Sequence, residues 1–264
     1  MDRGLQYGDG LFETIKVVQG RAEFWQRHID RLQQGCSRLG IAMPDQVLLE
    51  AEAATLCADQ DEAVLKILLT RGSGGRGYRC SEDSTPNRII SLSPMPDYRA
   101  QNLIQGMTVR LCQQRLSINP TLAGIKHLNR LEQVLARREW DDAAVFEGLM
   151  QDMDGNVIEG VMSNLFMVDN GYLLTPDLSR AGVCGVMRSV IIDLAQTLNI
   201  KVLMQDISQQ QLLQADEMFI CNSLMGITPV QQINEQRFAT GAVTRTLLTA
   251  LQEADKEWAL CSNA

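Results

Sequence analysis

One lysine stands where it could do chemistry. Lys126 lies in the stretch Gly124-Ile125-Lys126-His127-Leu128-Asn129-Arg130, and behind it Leu128, Leu131, Val134 and Leu135 recur at helical spacing. A lysine amine attacks a carbonyl when part of it is neutral at working pH. A helix N-terminus and partial burial both disfavour the ammonium form, so a helix predicted to begin just after Lys126 favours that chemistry. Taken alone the signal is weak, because a lysine beside a helix end is commonly a solvated charge.

Three further stretches add to it. Glu159 sits among apolar strand formers in Asn156-Val157-Ile158-Glu159-Gly160-Val161, where a carboxylate is costly unless it is paired. Gly182-Val183-Cys184-Gly185-Val186-Met187-Arg188 reads as a glycine turn opening a helix, a place where backbone N–H groups can meet a phosphate. Cys221-Asn222-Ser223-Leu224-Met225-Gly226 follows a strand and offers a hydroxyl and a turn. An amine, a carboxylate and two phosphate-binding turns suit pyridoxal 5'-phosphate, whose ring takes up electrons when its nitrogen stays protonated. Each element also has a plain explanation: Glu159 as an ion-pair partner on a strand, Gly182 and Gly185 as turn glycines.

The stretch Arg71-Gly72-Ser73-Gly74-Gly75-Arg76-Gly77-Tyr78-Arg79 formally satisfies G-x-G-x-x-G after a strand. A dinucleotide site needs a helix directly afterwards, and the loop-like Cys80 to Pro86 denies it one. The stretch is then either a solvated loop or an anion-binding one, with Arg71, Arg76 and Arg79 suited to carboxylates. Tyr78 and Tyr7 are candidates for pocket walls or for ordinary packing.

Composition narrows the class. With 264 residues and 45% hydrophobic content, the chain can bury one large core or two modest ones. A formal charge of −8 argues against general nucleic-acid binding. The seven cysteines, at wide spacings and without C-x-x-C, read as reduced thiols of a cytoplasmic protein. Only His28 and His127 are available as imidazole ligands, so no metal site is expected. No apolar run reaches the roughly 18 residues of a membrane helix, and no signal-peptide core follows Met1.

The elements that must position these residues alternate between strand and helix. Strands are predicted at 11–18, 63–70, 88–93, 107–113, 143–151, 163–168, 200–205 and 217–223, with hairpin turns at Asp154-Gly155 and Asn170-Gly171. Helices are predicted at 28–40, 45–58, after Lys126, and at 186–198, 208–214 and 239–254. The class is α/β or α+β with two lobes. A smaller N-terminal domain is placed at 1–105, a linker region at 106–118 and a larger C-terminal domain at 119–264.

The stretches YGDGLFET, RHIDRL, RGSGGRGY, AGIKHLNRLEQVLAR, AGVCGVMR and ADEMFICNSLMGITPV, with E-G-x-x-S-N-L-F at Glu159, carry a resemblance along nearly the whole chain. Together they resemble the fold type IV pyridoxal phosphate enzymes, a group of branched-chain aminotransferases, D-amino-acid aminotransferases and aminodeoxychorismate lyases. RGSGGRGY and AGIKHLNRLEQVLAR are most similar to the lyases. The resemblance implies a small α/β domain, a larger domain with a barrel-like sheet, and a homodimer with its site between the lobes. It implies Lys126 as the Schiff-base lysine and Glu159 as partner of the pyridine nitrogen. Arg31, the Val186 and Met187 amides, and Ser223 would hold the phosphate. Thr14 matches a threonine of the lyases where branched-chain aminotransferases carry glycine.

The reaction so implied turns 4-amino-4-deoxychorismate into 4-aminobenzoate and pyruvate for folate biosynthesis, with Lys126 also moving the proton. Arg76, with its glycine loop, is the first candidate for reading a substrate carboxylate, and Tyr78 is a substrate-binding candidate as a wall of the pocket. A D-amino-acid or branched-chain aminotransferase is the alternative, and functional coupling to an aminodeoxychorismate synthase a further expectation. The group usually carries an opening strand and turn before the D-R-x-x-Q-Y-G-D-G stretch. Here Met1 directly precedes Asp2-Arg3, so either the start is misassigned or the opening strand is absent and the small domain lacks an edge strand.

Overall fold

The computed structural model describes residues 1–80, 84–98 and 106–261. The chain divides into two units, Met1–Asp97 with Gly124–Leu131, and Tyr98–Ala123 with Glu132–Ala264. The sequence places the division at a linker over 106–118. The strand predicted at 107–113 is β5, Met107–Leu116, and it belongs to the second unit, whereas the lysine segment groups with the first unit and not with 119–264. Residues 99–105, at the expected domain end, lie outside the described residues.

The first unit is built on a four-stranded antiparallel sheet of β1 (Gly10–Val18), β2 (Arg21–Ala22), β3 (Glu62–Thr70) and β4 (Asn87–Ser93), in the order β2-β1-β3-β4. β1 alternates strictly, burying Leu11, Glu13, Ile15 and Val17 on one face. That face meets α2 (Trp25–Leu39), which buries Ile29, Leu32 and Cys36 at helical spacing. Gly35 in the middle of α2 weakens the helix locally, but a Cβ there would lie 2.7 Å from Leu11 Cδ2. A second helix, α3 (Gln46–Cys57), is capped by Asp45, whose side chain accepts from Val47 and Leu48 N–H.

The N-terminal stretch is a fastening. Asp2 caps the short helix α1 (Arg3–Tyr7) and also accepts from Thr70 Oγ1 at 2.6 Å and Asn87 Nδ2 at 2.8 Å. Asp9 accepts from Arg3 Nε at 2.9 Å and Arg71 Nε at 2.8 Å. Both arginines are buried.

The second unit carries a nine-stranded sheet: β5, β6 (Val145–Asp152), β7 (Val157–Gly160), β8 (Asn164–Asp169), β9 (Tyr172–Pro176), β10 (Val202–Gln205), β11 (Glu217–Asn222), β12 (Gly226–Ile233) and β13 (Gln236–Arg237). Its order is β10-β9-β8-β11-β12-β5-β6-β7, with β13 on β12. The β6–β7 and β8–β9 pairs are antiparallel hairpins at the two predicted turns, whereas β5 runs parallel to β6 and β12. The core is Leu149, Val157, Leu165, Met167, Met218, Ile220 and Val230 with their neighbours. Around the sheet come α4 (Leu131–Arg137), α5 (Val186–Thr197), α6 (Gln209–Leu213) and α7 (Ala242–Cys261).

Asp9 sets the acid response of the first unit. Burial alone would raise its pKa, but hydrogen bonds from Arg71 and Arg3 and their charges outweigh burial and hold it below the usual carboxylate value. A carboxyl depressed on folding contributes stability above its unfolded pKa and loses it as the pH falls through the folded value. Asp9→Ala leaves two buried guanidiniums without their carboxylate, and should cost about 3–5 kcal/mol in urea unfolding at neutral pH, with a flatter acid limb. An unchanged midpoint at pH 7 would count against this bridge as a structural tie.

Candidate active site

Lys126 is not at a helix start. α4 begins five residues later, at Leu131, and residues 126–128 run extended along β1. Phe12 N–H donates to the Lys126 carbonyl and Leu128 N–H to the Gly10 carbonyl, each at 3.0 Å, with Leu11 bridged to His127. The reason lies in β2, which pairs only Val17 and Val18, so the opposite end of that β1 edge needs another partner. The apolar stripe expected to seat the helix is also largely exposed, at 75% for Leu131, 53% for Val134 and 47% for Leu135. What holds the lysine is thus strand pairing.

The pairing aims the half-buried Lys126 across the sheet, with Nζ 4.4 Å from the centroid of the Phe12 ring. Thr14, two residues along β1 on the face that Phe12 shares, is also half-buried, and opposite it in register is Lys66. Lys66 Nζ stands 5.5 Å from the same Phe12 centroid. The structure therefore brings Lys126 and Thr14 to one face of β1.

Arg31 reaches β1 from the other face. Its Nε donates to Glu13 Oε1 at 2.9 Å, and its Nη2 donates to Glu13 Oε2. Arg76 and Tyr78 stand apart from this group. Both are exposed, and no described contact joins either to Lys126 or Thr14. Tyr78 instead meets Tyr7 edge-on at 5.4 Å, and its carbonyl, like that of Gly77, accepts from the Arg3 guanidinium at 3.1 Å. Arg71 is not available to a ligand either, since its nitrogens donate to Asp9 and to the Leu39 and Gly40 carbonyls. The loop's backbone is held at Gly77 and Tyr78 by Arg3, while Arg76 and Arg79 are exposed.

The second unit holds the carboxylate and the turns. Glu159 lies on β7, all four residues of which are buried, and its Oε2 accepts from Val183 N–H at 2.8 Å. The turn that supplies this N–H is set by Gly182, at φ +83°, where a Cβ would press on Ile158 and Glu159. Asn164 Nδ2 donates to the Val183 carbonyl at 2.9 Å, fixing the same turn from the other side. Gly185 then caps α5 without any side-chain hydrogen bond at the cap. The first-turn residues Val186 and Met187 are buried there. Ser223, half-buried, lies in the β11–β12 turn, where Asn222 Oδ1 accepts from Leu224 and Met225 N–H.

Sequence reasoning missed two carboxylates and one arginine. Glu13 reads as one polar residue in a strand, and only its alternation with Leu11 and Ile15 betrays that it points inward. Glu147 on β6 is fully enclosed, and burial pushes its pKa up against donors that include Gly148 N–H, Met162 N–H and Ser163 Oγ. Those bonds hold the turn after Glu159, and Asn222 Nδ2 reaches the Met162 carbonyl of the same turn at 3.1 Å. Arg188, just past Met187, is buried and bonded to Thr175 Oγ1 and the Pro176 carbonyl, each at 3.0 Å. Burial holds its pKa below the usual arginine value.

Comparison with known proteins follows the same lines. The amino-transferase class IV family matches residues 10–233. An aminodeoxychorismate lyase of Vibrio harveyi is 40% identical over 252 residues, spanning 93% of this chain and 92% of its own. The crystal structure of 4-amino-4-deoxychorismate lyase from Pseudomonas aeruginosa superposes with a TM-score of 0.92 at 46% identity, covering 96% of this chain and 93% of that one. A putative branched-chain-amino-acid aminotransferase of Methanocaldococcus jannaschii is 31% identical over 98% of this chain and 91% of its own.

The start of α5 has no room for a side chain, since a Cβ on Gly185 would lie 2.0 Å from Asn164 Oδ1. Gly185→Ala should therefore lower stability by about 1–3 kcal/mol in urea unfolding, through displacement of Asn164 or of the helix start. A variant as stable as the parent would show that the cap is not as tight as described.

Proposed function

The chain belongs to the amino-transferase class IV family, and within it we propose a pyridoxal 5'-phosphate-dependent carbon–oxygen lyase that converts 4-amino-4-deoxychorismate to 4-aminobenzoate and pyruvate. The observation that carries this reading is likeness to lyases of that name at 40% and 46% identity over more than nine-tenths of the chain. The aminotransferase alternative draws on more distant relatives, such as the one at 31% identity.

The donors present fit the cofactor. Lys126 is a primary amine held by its own backbone against β1, so its Nζ has a defined position for bonding an aldehyde. Glu159 is a buried carboxylate already supported by one N–H, the kind of group that keeps a pyridine nitrogen protonated. The α5 cap without a side-chain hydrogen bond leaves the Val186 and Met187 amides suited to phosphate, with Arg31 and the Ser223 hydroxyl as its further ligands in this proposal. When bound, the cofactor supplies an aldehyde to carry the substrate amine and a ring to take up electrons. Lys126 Nζ receives the proton from the amine-bearing carbon of the substrate. Thr14 Oγ1, on the same face of β1, orients the substrate beside that amine. Aromatisation of the ring drives loss of the enolpyruvyl group, so the protein's task is to position groups and move one proton.

A homodimer, a cytoplasmic setting and supply of substrate by an aminodeoxychorismate synthase extend the same proposal. Arg76 remains in it as a carboxylate reader and Tyr78 as a pocket wall, both on the exposed glycine loop, a placement that needs the loop to reach the substrate. Among the described residues no cluster of metal ligands occurs, and no helix is long and apolar enough to cross a membrane.

Lys126→Ala should abolish the yellow absorbance of the purified protein and lower turnover by at least about a thousandfold. A yellow band that persists would remove Lys126 from its role. Thr14→Ala should cut kcat for 4-aminobenzoate formation by about ten- to a hundredfold while leaving cofactor affinity nearly unchanged, with activity read in a mixture of chorismate, glutamine and the synthase. Equal loss of cofactor binding and turnover would make Thr14 structural.

A further inference from the structure

Between β1 and α2 lies a buried group that the reaction as described does not use. Glu13 is 1% exposed and His28 not at all. Glu13 accepts from three donors: Arg31 Nε at 2.9 Å, Arg31 Nη2, and His28 Nδ1 at 2.6 Å. The Arg31 side chain itself is only 10% exposed. A carboxylate so saturated is ionised, and burial, which by itself would raise its pKa, is overcome by the Arg31 charge and the His28 and Arg31 hydrogen bonds, which bring it to about 2.

His28 is a donor without a charge. With Nδ1–H given to Glu13, its Nε2 carries a lone pair that has no partner among the described residues. Burial holds the imidazole below its ordinary pKa, and the charges of Arg31 and Lys126 push the same way against the pull of Glu13. An unpartnered buried nitrogen is an expense that packing alone does not require. Both His28 and Arg31 sit on one stripe of α2, three residues apart, and both turn toward one residue of β1. Glu13 stands directly between Phe12, whose ring Lys126 Nζ overlies, and Thr14.

We propose that Glu13, buttressed by His28, is the positioning residue that fixes the Arg31 guanidinium for the cofactor phosphate, registering it to the strand against which the Lys126 backbone is paired. This inference rests on the phosphate reading of Arg31. The physical basis is orientation. A guanidinium is planar, and two parallel bonds to one carboxylate fix its plane as a single bond does not. An exposed arginine at the same place would lose several rotamers each time the cofactor bound. Here that freedom is already lost in the folded chain. Because Glu13 and Phe12 are consecutive on a strand, the phosphate grip and the lysine anchor share one rigid reference.

The test compares pyridoxal 5'-phosphate with pyridoxal, which lacks the phosphate, titrated by absorbance into the full-length chain freed of cofactor. Glu13→Gln is the informative variant. Its amide is nearly isosteric but has one acceptor oxygen, so it sets a donor against Arg31 or His28. Arg31→Gln and the double variant complete a cycle. Glu13→Gln and Arg31→Gln should each weaken pyridoxal 5'-phosphate by about ten- to a hundredfold and pyridoxal by less than about threefold, and the double variant should lose no more than Arg31→Gln alone. A merely structural Glu13 would weaken both ligands alike, which overturns the inference. Selective loss in Arg31→Gln without it in Glu13→Gln overturns the inference and spares the reading of Arg31. No selective loss in Arg31→Gln removes that reading and the inference with it. Should Glu13→Gln not fold, His28→Asn carries the test: a smaller selective loss supports the buttress, and an unchanged ratio of affinities overturns it.

Discussion

An incomplete strand edge organises the first unit. β1 pairs with β3 along its whole length but with β2 only at Val17 and Val18. Backbone N–H and C=O groups left along the Gly10–Phe12 end need partners, and a segment more than a hundred residues later in the sequence provides them. That segment is Lys126-His127-Leu128. The chain thus satisfies a backbone requirement and places a reactive amine in one stroke. The amine's height above the sheet is set by the pairing, and its direction by the Phe12 ring beneath it. Grouping of Gly124–Leu131 with the N-terminal residues is the same fact seen in the division of the chain.

From that constraint the rest of β1 takes its roles. Strict alternation gives one strand two faces with different work. Phe12 and Thr14 share the face of the lysine, whereas Leu11, Glu13 and Ile15 turn to α2. A carboxylate on the buried face survives because an arginine and a histidine of α2 reach it. The N-terminal stretch supports the strand's start through Asp9, which ties Arg3 and Arg71 together and so fastens the ends of β1 and β3.

In the second unit two buried carboxylates behave differently. Glu159 is placed by a short buried strand and a glycine turn that brings Val183 N–H to it. Glu147 has its donors clustered on the next turn and so shapes the backbone around Glu159. Glycines 182 and 185 occur where a side chain would strike the groups that define the turn, so their role is clearance as much as flexibility.

Local pattern alone determined a great deal. The places of β1, α2, α3, β3 and α5 and the hairpin turns at Gly155 and Gly171 are set by neighbours within a few positions, and so could be read from the sequence, as could the residue types at 126, 159 and 182–188. The resemblance then extended those residues to a family. Three features were decided only by tertiary structure: that Lys126 belongs to a strand edge and not a helix start, that Arg71 serves Asp9 and two carbonyls, and that Glu13, His28 and Arg31 meet. Each depends on which distant segments complete one another's backbone or charge. Sequence spacing carries no information about that, because burial and pairing are properties of contacts between segments, not of the segments themselves.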